Sequence, residues 1–195
     1  MTGSLAASGN IMSLVDRTGL SKVIPFGSCF YMLFMHCTSL TRAPELPATT
    51  LTDYCYYEMF YECSSLTTAP ELPATTLANR CYNYMFGDCS SLTTAPELPA
   101  MTLAASCYAS MFYKCTSLAT APVLSAPILT DHCYDGMFSG CTKIKKVTCL
   151  ATDISATGCL DGWLSNAASA GTIYVAKGMK GEWTPPSHWS IAEIE

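Results

Sequence analysis

Apolar positions recur along the chain in blocks of 26. Cysteines stand at 29, 55, 81, 107, 133 and 159, each 26 residues after the last, and a second column follows at Cys37, Cys63, Cys89, Cys115 and Cys141. Phenylalanines at 34, 60, 86, 112 and 138 fall between the two columns, and the unit reads CYxxMFxxCxSLTxAPELPATTLxxx. Five full units run from 29 to 158. The stretch CLDGWLSNAASAGTIYV from 159 then aligns without a gap on CYDGMFSGCTKIKKVTC from 133, as a degenerate sixth unit. A fixed period of this length marks a stack of supersecondary units, none of which can bury its apolar face alone.

Within the unit, 55–63 predicts a short helix. At about 100° per residue, with Tyr57 as zero, Cys55, Tyr56, Met59, Phe60 and Cys63 fall between roughly 160° and 300°, while Tyr57, Glu58, Tyr61 and Glu62 fall between roughly 0° and 140°. Asp53, Asn79 and Asp131 sit two residues before their cysteines, where a side-chain oxygen would cap free amides of such a helix. After the second cysteine, SLTTAPELP stacks Leu66 and Leu72 on equivalents at 40, 92, 98, 118 and 124, which predicts a strand. Pro70 and Pro73, with copies at 44, 47, 96 and 99, remove amide donors and predict a sheet only about two or three residues wide per coil. Either Ala69 or Pro70 could point inward, because Val147 and Cys149, then Ile173 and Val175, alternate in a shifted register.

The fold class expected is therefore an α/β solenoid, a right-handed, leucine-rich-repeat-like stack with one short strand and one short helix per coil. Residues 1–28 are expected to form an N-terminal cap. Residues 159–195, which hold Trp163, Trp183 and Trp189, are expected to form the degenerate sixth unit and a C-terminal cap, all in one structural domain. Stacking lets each buried Leu, Met or Phe contribute about 1.5–3 kcal/mol.

The succession MF, C, SL and a proline-flanked leucine turn resembles the BspA-like leucine-rich repeats of bacterial surface proteins, common in gut Bacteroidetes and related to repeats of mycoplasma surface proteins. The resemblance covers 29–158. The ending, with a Trp, a GT strand and a PPSHW segment, looks like the C-terminal cap of the same proteins. This resemblance implies an extracellular or cell-surface location and a role in adhesion or partner binding, and it carries over no catalytic residue. The unit here is longer than the family repeat around APELP, which leaves strand register and curvature open. Similar repeats also occur in phage-derived proteins, so a structural spacer or display stalk in a larger surface or phage-associated protein is the alternative role.

Composition narrows the partners. Charged residues are 13% of the chain and apolar ones 50%, as expected of a segment that folds. The formal net charge is −5, and the one basic cluster, Lys143, Lys145 and Lys146, is too small to attract a phosphate backbone, so nucleic acid is not expected as a partner. No run approaches the roughly 18 apolar residues of a membrane span, and the start has no signal-peptide pattern, so a soluble, monomeric chain without membrane insertion is expected.

Twelve cysteines raise disulfide and metal readings. On a helix, Cys55 and Cys63 would lie about 12 Å apart, and equivalent cysteines on packed helices about 8–10 Å apart, both beyond bridging range. Small apolar fillers of one repeated slot are the expectation, with Cys149 and Cys159 left as a candidate pair. The anaerobic habitat implied by the resemblance would keep buried thiols reduced. There is no close C-x2-C pair, His36, His132 and His188 are scattered, and no nucleophile, zinc-protease or phosphate-loop motif occurs. No metal, no cofactor and no enzymatic activity are expected.

Units 55–80 and 81–106 are identical at nineteen positions and differ at 57, 58, 61, 62, 75, 79 and 80. All four outward positions of the expected helix thus vary. Across the units this face carries Tyr57, Glu58, Tyr61, Glu62, Asn83, Tyr84, Asp88, Tyr113, Lys114 and Asp135, set among Gly87, Ala109, Ser110, Gly136, Ser139 and Gly140. The mix of tyrosine with small polar residues resembles an antibody paratope, where rigid aromatic area and adaptable hydrogen bonding meet. This is the first candidate for recognising a protein or glycan. The sheet face, with the column Glu45, Glu71 and Glu97, is the second. Stacked about 5 Å apart, these glutamates could hold a cation or stand as a solvated row.

Overall fold

The chain, described over residues 3–194 in a computed structural model, is a repeat, solenoid-like stack. The expected helix at 55–63 does not form, and the segment is a ribbon of successive turns. The amides of Cys55, Tyr57, Met59, Tyr61 and Cys63 turn back to carbonyls three residues earlier in the same coil. Those of Tyr54, Tyr56, Glu58, Phe60 and Glu62 instead donate to Asn79, Cys81, Asn83, Met85 and Gly87 of the next coil, at 2.8–3.0 Å. Every second amide therefore ties one coil to its neighbour, whereas an α-helix would have kept them all.

This alternation requires a left-handed residue at every fourth position. Tyr54, Glu58 and Glu62 have φ of 57°, 51° and 59°, and the same columns hold Arg80, Tyr84 and Asp88, then Ser106, Ser110 and Lys114. Such a conformation costs a non-glycine residue roughly 1–2 kcal/mol, and glycine takes it freely, as Gly136, Gly140, Gly158 and Gly162 do further on. Hydrogen bonds between coils, each worth about 0.5–1.5 kcal/mol net, and the close stacking they enforce offset that strain. The same five donors per coil recur from Ser28–His36 through to the bonds that His132, Tyr134, Gly136, Phe138 and Gly140 make to the sixth coil.

Stacking at backbone hydrogen-bond distance replaces the helix-packing distance expected from sequence. Phe34, Phe60, Phe86, Phe112 and Phe138 form a ladder with ring centroids 5.5–5.8 Å apart, and Tyr56, Tyr82, Tyr108 and Tyr134 a second with 5.7–6.1 Å. From the second unit on both ladders are buried with the cysteine, methionine and leucine columns in one continuous core, against which the half-buried Phe34, Cys29 and Cys37 of the first unit pack. Equivalent cysteines consequently lie at about the 4.8 Å spacing of paired strands, so distance alone no longer excludes bridges between coils. All twelve are nonetheless free thiols, Cys149 and Cys159 included. The second column has a specific role: the Cys63, Cys89, Cys115 and Cys141 thiols donate to the carbonyls of Phe34, Phe60, Phe86 and Phe112 at 3.0–3.1 Å.

The side chains expected to cap helices act across coils. Asp53 Oδ1 accepts the amide of Asn79 at 2.9 Å, and Asp131 Oδ1 that of Thr157 at 3.0 Å, in both cases the equivalent residue one coil later. Neither satisfies its own coil.

The proline-bearing side of the coil pairs least. Through the central units only single parallel bridges form, Thr68–Thr94–Thr120 and Thr50–Thr76–Thr102, narrower than the sheet expected from sequence. Strands lengthen where the prolines stop. After β1 (Leu5–Ala6), the short helix α1 (Ser13–Asp16) and β2 (Leu40–Arg42), they are β3 (Val123–Leu124), β4 (Lys146–Cys149), β5 (Gly171–Val175) and β6 (Trp189–Glu193). The last four form one parallel sheet in the order β3-β4-β5-β6. Val123 pairs with Thr148 and Leu124 with Cys149, a step of 25, so one residue is dropped before β4. Leu124, Cys149 and Val175 thus form one buried column, and two residues before each, Pro122, Val147 and Ile173 form another. Of the two positions left open by the sequence, Pro44 and Pro122 are buried where Ala43 and Ala121 are half-buried, while in the central units Ala69 and Pro70, like Ala95 and Pro96, are both half-buried.

At the N-terminal end β1 pairs with β2, Asn10 bridges to Glu45 and Val23 to Thr50, with Ile11, Met12 and Ile24 buried beneath. At the other end Trp163 packs on Trp183 with centroids 5.8 Å apart, and Trp189 Nε1 donates to the Ala168 carbonyl at 3.0 Å. No helix among the described residues is long and apolar enough to cross a membrane.

Candidate functional site

The turn ribbon decides which side chains of the variable face can meet a partner. Because its in-in-out-out pattern repeats every four residues, two adjacent pairs of each coil, such as 57 with 58 and 61 with 62, point outward, and neighbouring coils bring them within ring-contact distance. Tyr61 meets Tyr84 edge-on at 6.0 Å, and Tyr84 meets Tyr113 edge-on at 5.8 Å. Gly87 makes this possible, since a Cβ there would come within 2.8 Å of Tyr61 Cδ2 and 3.2 Å of Tyr84 Cδ1. Alongside, Tyr57 stacks flat on Tyr31 at 5.0 Å and tilts against Tyr54 at 5.8 Å. The result is an aromatic surface spanning four coils.

Charges frame that surface. Lys114 Nζ lies 5.0 Å from the Tyr113 ring centre and the Arg80 guanidinium 5.5 Å from that of Tyr54, both in cation–π range. His36 Nδ1 is 2.9 Å from Glu62 Oε2. Burial raises the Tyr61 hydroxyl to about 12, helped by a hydrogen bond to Asp88 and by the Asp88 and Glu62 charges. Burial also raises Tyr57 to about 12, with Glu58 adding charge and a hydrogen bond. Lys114 is raised too, first by its hydrogen bond to Tyr113 and then by Asp88. Tyr57 and Tyr61 therefore present neutral rings with donor hydroxyls at physiological pH.

Not every variable position contributes. Tyr57, Glu58, Tyr61, Glu62, Tyr84, Asp88, Tyr113 and Asp135 are half-buried and Lys114 is exposed, but Asn83, Gly87, Ala109 and Ser110 are buried. Asn83 is only 8% exposed, and its Oδ1 has no partner. It belongs to the packing of this face more than to its surface. Towards the C-terminus Gly136, Ser139 and Gly140 leave the face without aromatic rings, and Asp135 stands apart from the tyrosine row beside His132, at 3.4 Å. The residues that sequence reasoning missed are Tyr31, His36, Tyr54 and Arg80. Tyr31 and His36 occupy the Tyr57 and Glu62 columns of the first unit, so the alignment of units carried the signal. Tyr54 and Arg80 lie just ahead of the first cysteine column, which a helix starting there would have turned away.

The second candidate surface is a groove on the proline side. It runs along the stack as three adjoining hollows of about 640, 460 and 350 Å³. Glu45 and Glu71 line the first, Glu71 and Glu97 the second, and Glu97 with Val123 the third, while Lys22 and Arg42 stand at the N-terminal end. All three glutamates are exposed and walled by prolines. No group of three or more His, Cys, Asp or Glu side chains that could hold a metal ion occurs among the described residues. Compared with known proteins, the chain matches no family model, no curated protein and no solved structure.

Proposed function

We propose that this chain is a non-catalytic binding or adhesion module of a bacterial cell-surface or secreted protein, recognising a protein or glycan through its tyrosine face. The observation that carries the reading is the row Tyr61, Tyr84 and Tyr113, three partly exposed rings held edge-on across three coils, with the stacked pair Tyr31 and Tyr57 beside it. Rings fixed by their neighbours lose little conformational freedom on binding, and their hydroxyls supply directional contacts. Between units 55–80 and 81–106 variation falls on all four outward positions of this face, while the threonines and glutamate of TTAPELPATT change only at Thr75. The resemblance to BspA-like leucine-rich repeats supports the surface location, an extracellular setting and a right-handed wind for the stack.

The test is a glycan and host-protein array probed with the intact chain and with a variant carrying Tyr61, Tyr84 and Tyr113 changed to Ser. A ligand bound by the first and lost by the second supports the reading. A ligand kept by the variant moves the site to the proline groove, with Glu71→Ala and Glu97→Ala as the following pair. Absence of any ligand favours the alternative, a structural spacer in a larger surface or phage-associated protein, for which the uniform coil-to-coil hydrogen bonding supplies the stiffness.

A further inference from the structure

Within the turn ribbon the bonding has a polarity, because each coil donates amides to the next and accepts no amide from it; bonds in the reverse direction, such as Thr93 to Thr67 and Ala119 to Thr93, occur only on the proline side. At the N-terminal end of the stack, the carbonyls of Gly27, Cys29, Tyr31, Leu33 and Met35 occupy the columns that accept these bonds in every later coil, and among the described residues nothing donates to them. At the opposite end the amides of Gly158, Leu160, Gly162, Leu164 and Asn166 occupy the donor columns and, among the described residues, bond to no carbonyl; of these residues only Leu164 is buried. Both rows follow the same two-residue spacing. Both have the same backbone, with positive φ at Ser28, Met32 and His36 and again at Gly158, Gly162 and Asn166.

The acceptor end is also the most apolar exposed part of the molecule. Phe26, Tyr31 and Leu33 are 61%, 42% and 44% exposed, and Leu5, Leu14, Leu20 and Val23 of the N-terminal segment are exposed with them. Unpaired edges of this kind are normally covered or charged. Here neither applies. At the donor end Asp161, Gly162, Ser165 and Asn166 are exposed, beside the covering that Trp183 provides over Trp163.

We infer that the acceptor edge at residues 27–35 docks the donor edge at 158–166 of a second copy, so that the chain associates head to tail along the stack axis. In the register of the fold, Gly158 of one copy would donate to Gly27 of the next, Leu160 to Cys29, Gly162 to Tyr31 and Asn166 to Met35. Two acceptor edges have no donors to exchange, which excludes a head-to-head dimer through this edge. A head-to-tail dimer along the stack axis leaves one free edge of each kind, so association proceeds beyond the dimer as concentration rises. This replaces the monomer expected from sequence and does not depend on the tyrosine face having a ligand.

The experiment is sedimentation velocity of the full chain over a wide concentration range, beside Leu33→Arg, Phe26→Arg and the mid-stack control Met101→Lys, with circular dichroism of each to show an unchanged fold. The wild type and the control should gain mass steadily with no plateau at the dimer. Both edge variants should stay monomeric alone and, keeping their donor ends, should shorten wild-type assemblies when mixed in. A wild type that is monomeric throughout, a plateau at the dimer, or association that persists in both edge variants overturns the inference.

Discussion

The Glu58 amide donates to the Asn83 carbonyl, 25 residues ahead, at 3.0 Å, and Glu58 itself holds a φ of 51°. The two facts belong together, because the left-handed step at Glu58 turns its amide out of the coil. In a helix the same residue would have negative φ and would donate to Tyr54. Glycine discriminates between the two backbones. In a helix interior, Glu58→Gly and Glu62→Gly would each cost about 1 kcal/mol. In the ribbon, relief of the left-handed strain offsets the larger entropy loss of glycine. The double variant should therefore unfold in urea within about 0.5 kcal/mol of the wild type, and a loss near 2 kcal/mol would restore the helix.

Gly171 lies under the Trp189 ring, where an added Cβ would sit 2.6 Å from Cζ3. Trp189 cannot easily yield, since it is buried and its indole nitrogen is bonded to Ala168. Gly171→Ala should destabilise by about 1–3 kcal/mol through overpacking. Tryptophan fluorescence during chemical unfolding reads this directly, and an unchanged midpoint would mean that β5 and β6 do not pack as described.

The Tyr56 hydroxyl is buried without a hydrogen-bond partner. Tyr56→Phe keeps the ring ladder and removes the unpaired group, whose burial costs about 1–3 kcal/mol. Thermal and urea unfolding should show the variant at least as stable as the wild type. A clear loss of stability would reveal a partner for that oxygen.

Burial pushes the thiols of Cys55, Cys141 and Cys149 up to about 12, from 9.0. Their folded values exceed the unfolded one, so below pH 9 the full stability is present, and above it the unfolded chain ionises while the folded chain does not. Each thiol then withdraws roughly 1.4 kcal/mol per pH unit until the pH reaches its folded value. The urea midpoint should hold from pH 7 to 8.5 and fall steeply between pH 9 and 11. Cys141→Ala should make the fall shallower, and a flat profile would show that the cysteine columns are open to solvent.

Much of this architecture is legible in the sequence. The 26-residue period, the inward set of Cys55, Tyr56, Met59, Phe60 and Cys63, and the outward Tyr57, Glu58, Tyr61 and Glu62 all emerge from the pattern. The helix did not, because a turn of about 100° per residue and the 90° of a four-residue period diverge by only roughly 80° across nine residues. Both readings separate the same two sets. The signal that tells them apart is glycine at four-residue spacing, Gly136 with Gly140 and Gly158 with Gly162, where left-handed φ is needed. Once the coils are tied by backbone bonds, the rest of the site follows: rings meet across coils, and Asn83 and Ser110 sink into the packing. That closeness could not be read from a helix, whose neighbours stand farther apart.

The most direct measurement is the NMR scalar coupling transmitted through backbone hydrogen bonds, recorded on isotope-labelled chain. The Glu58 amide nitrogen should couple to the Asn83 carbonyl carbon and that of Phe60 to Met85, each in the neighbouring coil. Couplings from Glu58 to Tyr54 and from Phe60 to Tyr56, four residues back, would contradict the ribbon and with it the face on which the tyrosines meet.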